Sequence, residues 1–234
     1  MVSWSRDTRF RHDVAFTGDF VGAAASDLAA IEAFGDALAG SGNPLVIASG
    51  TLGLKPGSVA TERDMPERGG HPRTASAYAA LDLAERDVRS VVVRFAPTVH
   101  GQGDGGFIAT LVAIARETGV SGYREDGSNR WPAAHVSDAA HLVHLAVEGA
   151  PAGSVLHATA EDGVTTKSIA GAIGGALGVP VESFPIAEAG RFSFLAGFFG
   201  LDSPASSEIT RKLLAWNPTG PTLLEDITAG RYTA

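Results

Sequence analysis

Three valines followed by an arginine, in Ser90-Val91-Val92-Val93-Arg94-Phe95, constrain this chain more than any other stretch. Ala96-Pro97-Thr98-Val99-His100-Gly101 comes directly after them. A β-branched run without alternation leaves no face for water, so it predicts a strand covered on both sides, as in a parallel sheet. Proline and glycine then stop the extended pattern. In open α/β sheets ligands bind beyond the carboxyl ends of the strands, which puts residues 96–101 at a cofactor or substrate.

The rest of the chain alternates around that strand. Val14-Ala15-Phe16 reads as a strand tail ending in Thr17-Gly18-Asp19. Residues 21–38 carry Leu28, Ile31, Phe34 and Leu38 at helical spacing, and Gly40–Pro44 stops them. Residues 45–48 are a second buried strand ending in Ser49-Gly50-Thr51. A long surface loop over 52–71 leads to a helix over 72–87, with Tyr78 as a packing residue. Beyond the glycine-rich residues 102–106 come a helix over 107–118, a short strand at 120–123 and a turn at 126–129. Ser137-Asp138 reads as a capping pair before a helix over 139–148. A strand at 155–158, a helix at 165–177, an extended piece at 179–181, an apolar cluster at 192–201 and a last helix at 206–216 complete the order. The plan is β/α alternation in residues 1–102, then a looser α+β lobe in 103–234.

Composition narrows the function classes. A net charge of −8 argues against a nucleic-acid partner, which needs a cationic stripe. Without cysteine there is no disulfide, thiolate nucleophile or Cys-ligated metal, and a cytoplasmic location fits. No apolar run is long enough to span a bilayer, and MVSWSRDTRFRHD lacks the apolar core of a signal peptide. His135, His141 and His144 lack supporting carboxylates apart from Asp138, so no metal site is expected. Ser49 and Thr51 sit at a strand end, where hydroxyls either bind a ligand's carbonyl or cap a turn. Asn129, Arg130 and Trp131 combine a donor, a cation and an aromatic face on a turn. With His100 from the strand-end loop, they are the candidates for touching a small-molecule substrate.

The words Arg94-x-x-Pro97-x-Val99-His100-Gly101, Ser49-Gly50-Thr51 and His135-Val136-x-Asp138 resemble the extended short-chain dehydrogenase/reductase family, which includes the nucleotide-sugar epimerases and dehydratases. The resemblance implies an α/β fold: an incomplete Rossmann-like, doubly wound parallel sheet with a smaller C-terminal α+β lobe. It implies NAD or NADP, with Phe16, Thr17, Ser49, Arg73, Pro97, Thr98 and Val99 at the cofactor and Ser49 and Thr51 polarising the substrate.

Two departures stand against it. The family's catalytic Tyr and Lys, one helical turn apart, fall on Arg73 and Ala77 when Ser76 matches the family's Ser. A guanidinium exchanges no proton at neutral pH, though it can hold an anion or a cofactor phosphate; the plainer reading of Arg73 is a solvated helix start. No G-x-x-G-x-x-G follows a first strand, so the pyrophosphate-binding part is expected to precede residue 1, as in a shortened chain. The open sheet edge would then be covered by a second copy or a partner chain. Two readings follow: an atypical reductase or epimerase-like protein, or a cofactor-free protein that kept the fold and serves in interaction.

Overall fold

The computed structural model describes residues 19–232, so the strand tail at 14–16 and the expected cofactor residues Phe16 and Thr17 lie outside the described residues. Helix α1 (Phe20–Leu38) opens the described chain, with the Asp19 side chain accepting from Gly22 N. Strand β1 (Pro44–Gly50) follows. The loop over 52–71 leads to α2 (Pro72–Asp82), which has Pro72 in its first turn and His71 as its cap. That helix ends five residues before the expected 87: a 3-10 turn (Leu83–Arg86) takes over and Asp87 turns left-handed at φ 54°. Strand β2 (Arg89–Phe95) is the valine strand.

Strand β2 lies between β1 and β6 (Ser154–Ala158), parallel to both, with Val91 opposite Val46 and Ser154, and Phe95 opposite Gly50 and Ala158. All three valines are fully buried. Val92 packs with Ile31, Ala77, Ala80 and Leu83 under α1 and α2. Val91 and Val93 pack with Leu142, Ala146, Leu156 and Trp216 under α4 (Val136–Gly149), on the opposite face. Each such side chain contributes about 1.5–3 kcal/mol relative to exposure, so the sandwich of helix, sheet and helix is what the valine run demands.

The remaining elements build a lobe. Strands β3 (Thr98–His100), β5 (Arg130–His135) and β7 (Glu161–Thr165) form one small sheet, and β4 (Ser121–Arg124) pairs in parallel with β8 (Val181–Phe184). Around them α3 (Phe107–Thr118), α5 (Thr166–Leu177), a 3-10 segment (Ile186–Gly197) and α7 (Leu223–Thr228) enclose a core centred on Trp131, Ile173, Phe199 and Ile227. The chain crosses back between the two bodies, because α4 and β6 belong to the first sheet. The helix expected over 206–216 is shorter, α6 (Glu208–Leu214), ended by a left-handed Ala215, and it is not the last. Helix α4 starts at Val136 with His135 as its cap. Ser137 and Asp138 therefore lie inside its first turn, and the Asp138 carboxylate instead accepts from Thr219 N and Gly220 N. Among the described residues no helix is long and apolar enough to cross a membrane.

The long loop is stitched down at one buried charge. Arg94, 1 % exposed, donates to Asp64 O at 2.8 Å, meets Met65 Sδ at 3.0 Å, and lies 3.3 Å from His157 Nε2. Because His157 Nδ1 faces the Ser206 carbonyl at 2.8 Å, that nitrogen carries the proton and Nε2 accepts from Arg94. Burial lowers the pKa of His157 from 6.5, and the Arg94 charge adds to the effect. The unfolded ring therefore takes up a proton at a higher pH than the folded one, and stability falls as pH drops below 6.5. The Tm is expected to fall between about pH 7.5 and about pH 5.5, and His157→Gln should flatten that slope, His71 retaining a share of the same sign. A thermal-melt series at stepped pH reads this directly; equal slopes in the two proteins would count against it.

Candidate functional site

At the carboxyl ends of β1 and β2 the sheet opens. Ala48 and Gly50 are exposed and Ser49 is half-buried, and a Cβ added at Gly50 would meet nothing within 4 Å. Thr51 behaves differently: it is fully buried, and its amide and hydroxyl both donate to Phe95 O, at 3.0 and 3.3 Å. That ties the end of β1 to the end of β2 and leaves Ser49 as the more exposed of the two hydroxyls. The expected loop over 96–101 is in part a strand: Thr98–His100 pair with β5 as β3, Pro97 and Val99 are half-buried, and Thr98 is buried and bonded to Pro132 O.

Helix α2 brings Arg73 to this opening. Its Nη2 donates to Ala48 O at 3.0 Å and lies 3.8 Å from Asp27 Oδ2 on α1. Ala77, one turn on, is packed against the sheet, and Tyr78 points away, its hydroxyl on Pro66 O at 2.9 Å and its ring under the Arg68 guanidinium. At the place where the resemblance puts Tyr and Lys there is thus a permanent cation tied to a strand-end carbonyl.

The expected substrate residues have partners of their own. Arg130 makes a fork with Asp202, Nε to Oδ1 at 2.9 Å and Nη2 to Oδ2 at 2.8 Å, and its amide donates to the same carboxylate. This holds the Asp202 carboxyl below its ordinary pKa. The Asn129 amide donates to Phe199 O and Leu201 O and its carbonyl accepts from Thr166, while Trp131 is fully buried with its indole on Leu201 O. All three pin the segment 199–202 instead of facing the strand ends. Asp202, seventy-two positions downstream of Arg130, carries no local signal that would have revealed this.

His100 is buried too, and its Nδ1 lies 2.7 Å from Asp226 Oδ2 on α7. The same carboxylate pairs with Arg231 Nε at 2.7 Å and lies 3.6 Å from His135 Nε2. Beside it, Tyr232 donates to Asp104 Oδ2 and accepts from Gly101 N. Burial, and then the nearby carboxylates, push the phenol's pKa up. Gly101 sits at φ 142°, and a Cβ there would come within 2.8 Å of Val136 Cγ1, so the loop turns where only glycine fits. Among the described residues no group of three or more His, Asp or Glu is placed to hold a metal ion.

No family model matches the chain. An uncharacterized Schizosaccharomyces pombe protein, C2A9.02, is 40% identical over 227 residues, covering 96% of this chain and 76% of the relative. The chain belongs to the family of that fission-yeast protein. Among solved structures, MoeE5 in complex with UDP-glucuronic acid and NAD matches with a TM-score of 0.70 and 19% identity over 92% of this chain and 72% of the other. DesIV, a dTDP-glucose 4,6-dehydratase from Streptomyces venezuelae with NAD and TYD bound, matches with a TM-score of 0.70 and 17% identity over 94% and 70%. The fold is therefore the Rossmann-like α/β fold of NAD-dependent epimerases and dehydratases.

Asp226, 1 % exposed and shared by His100 and Arg231, should be costly to remove. Asp226→Ala is expected to destabilise the chain by about 3–5 kcal/mol, because it strands buried polar groups. Urea unfolding measures it, and a loss below about 1 kcal/mol would mean that the cluster relaxes into water.

Proposed function

We propose that this chain is an NAD(P)-linked protein of the extended short-chain reductase type, acting on a small carbonyl-bearing substrate at the mouth formed by residues 48–50, Arg73 and residues 96–99. The observation that carries this reading is the exposed carboxyl end of β1 at Ala48 and Gly50, with Arg73 Nη2 3.0 Å from the Ala48 carbonyl. Support at the level of fold comes from the NAD-bound neighbours. Gly50, with open space where a Cβ would stand, gives a flat ring room to approach the strand end. Ser49, Arg73 and the backbone of Pro97–Val99 are the groups that would hold the nicotinamide end. The cofactor, when bound, supplies the hydride chemistry.

The chain's own residues set limits on that chemistry. A guanidinium is no acid at neutral pH, so Arg73 would stabilise negative charge on a substrate oxygen or hold an anionic group, and not deliver a proton. Ser49 can orient that oxygen and pass a proton only in relay with another group. The pair suits polarisation of a carbonyl or capture of a sugar-nucleotide or carboxylate anion better than general acid catalysis.

A second reading has an observation of its own. Arg73 spends one bond on the backbone and leans on Asp27, as a structural strap would, which favours a cofactor-free protein with the same fold. Titration with NADH and NADPH, followed by nicotinamide fluorescence and by melting temperature, separates the two. Binding at a hundred times Kd should add about 2.7 kcal/mol, hence roughly 5–10 °C in Tm, and Arg73→Met should weaken it several-fold. An unchanged Tm at millimolar cofactor would abandon the oxidoreductase reading for this chain in favour of the second.

A further inference from the structure

We propose that the ledge of Phe107, Phe194 and Phe198, with the guanidinium of Arg124, which has no ion pair among the described residues, is a subsite for a small molecule that joins an apolar ring or chain to a single negative charge. The inference deepens the substrate reading above and rests on it for the identity of the site.

The segment that carries the ledge separates its apolar residues by face. Phe192, Leu195 and Phe199 enter the lobe core, whereas Phe194 and Phe198 remain 42% and 40% exposed. Both meet Phe107: Phe198 lies nearly parallel to it at 16° and 6.2 Å between centroids, and Phe194 lies edge-on at 5.8 Å. The three rings make one surface of the kind that receives an apolar body. Phe107 opens α3 directly after the Gly101–Gly106 loop, so the ledge adjoins the strand-end loop.

Charge then fixes the other half of the ligand. Arg124, at the end of β4, has a buried Nε with no hydrogen-bond partner among the described residues. Its guanidinium lies against Gly200, two residues beyond Phe198, and a Cβ there would come within 2.0 Å of Nη1. The neighbouring cations are already engaged. Arg130 is forked onto Asp202, Arg191 is paired with Glu188, and Arg116 donates to Tyr232 O. Lys167 lies over the Tyr123 ring and also acts on Asp126, whose carboxyl is lowered mainly by its bonds from Ser128. A half-dehydrated guanidinium without a carboxylate gains most from one planar or tetrahedral anion. A diphosphate would draw on a second cation, and Arg116, Arg130 and Arg191 are held by partners of their own.

The probe is 8-anilinonaphthalene-1-sulfonate, an aromatic monoanion, titrated into the full chain by fluorescence, with uncharged Nile red as control and UDP-glucose as competitor. Saturable sulfonate binding is expected, and Arg124→Gln should weaken it roughly tenfold while leaving Nile red unchanged. Phe198→Ser should weaken both dyes. Gly200→Ala keeps the charge but displaces the guanidinium, and should weaken the sulfonate alone. Thermal melts confirm that each variant is folded. Sulfonate binding indifferent to both Arg124→Gln and Gly200→Ala would overturn the proposal and leave an ordinary apolar patch. Displacement by UDP-glucose that depends on Arg124 would overturn the single-charge class. NADH titration of Arg124→Gln keeps the two readings apart: cofactor binding without an Arg124 effect sinks only the subsite, and an Arg124 effect without cofactor binding sinks only the oxidoreductase reading.

Discussion

A guanidinium in the middle of the molecule governs how the pieces sit. Arg94 ends the central strand fully dehydrated, which lowers its pKa from the usual guanidinium value, the charges of Asp64 and Glu62 opposing that shift. Such a charge is tolerable only where acceptors surround it. The acceptors come from two distant places: the Asp64 carbonyl and the neighbouring Met65 thioether on the long loop, and the neutral His157 ring on β6. Glu62, buried three residues from Met65, grips Thr210 on α6 through its amide and hydroxyl. Thr210 in turn accepts from the His157 amide. One buried charge thus ties the long loop, β6 and the C-terminal segment together.

Much of the architecture was legible because it follows from local pattern. The valine run could only be a strand buried on both faces, and the helix over 107–118 has its stop in Gly119, left-handed as a helix end requires. What escaped had weaker or contradictory local cues. Strand β5 contains Pro132 and β7 contains Glu161-Asp162-Gly163, compositions that argue against strands until the bulge between Trp131 and Ala133 is seen to absorb the proline. Helix α7 did announce itself: Thr222 and Glu225 make a capping box, a four-residue signal easily missed before so short a helix.

The site was legible at the level of the backbone and opaque at the level of side chains. Ser49 and the 96–101 loop lie where strand-end grammar puts them. Whether a side chain faces ligand or core depends on partners far along the chain, and Asn129, Arg130 and Trp131 show how: each found a carbonyl or carboxylate between Phe199 and Asp202. A turn rich in chemistry-bearing residues turned out to be a clasp. The replacement at Arg73 works in the opposite direction, since a residue that sequence comparison marks as a loss sits in the structure as a positioned cation.

The hold of Tyr232 on the Gly101–Asp104 loop has a consequence for the order in which the molecule is made. Its phenol reaches back 128 positions to Asp104 and 131 to Gly101, and its carbonyl receives Arg116 from α3. During synthesis the valine strand and both of its helical covers are finished long before that residue leaves the ribosome. The glycine-rich loop over residues 101–106 therefore waits, untied, until residue 232 is out, so the nascent protein has its valine sheet well before that loop is held.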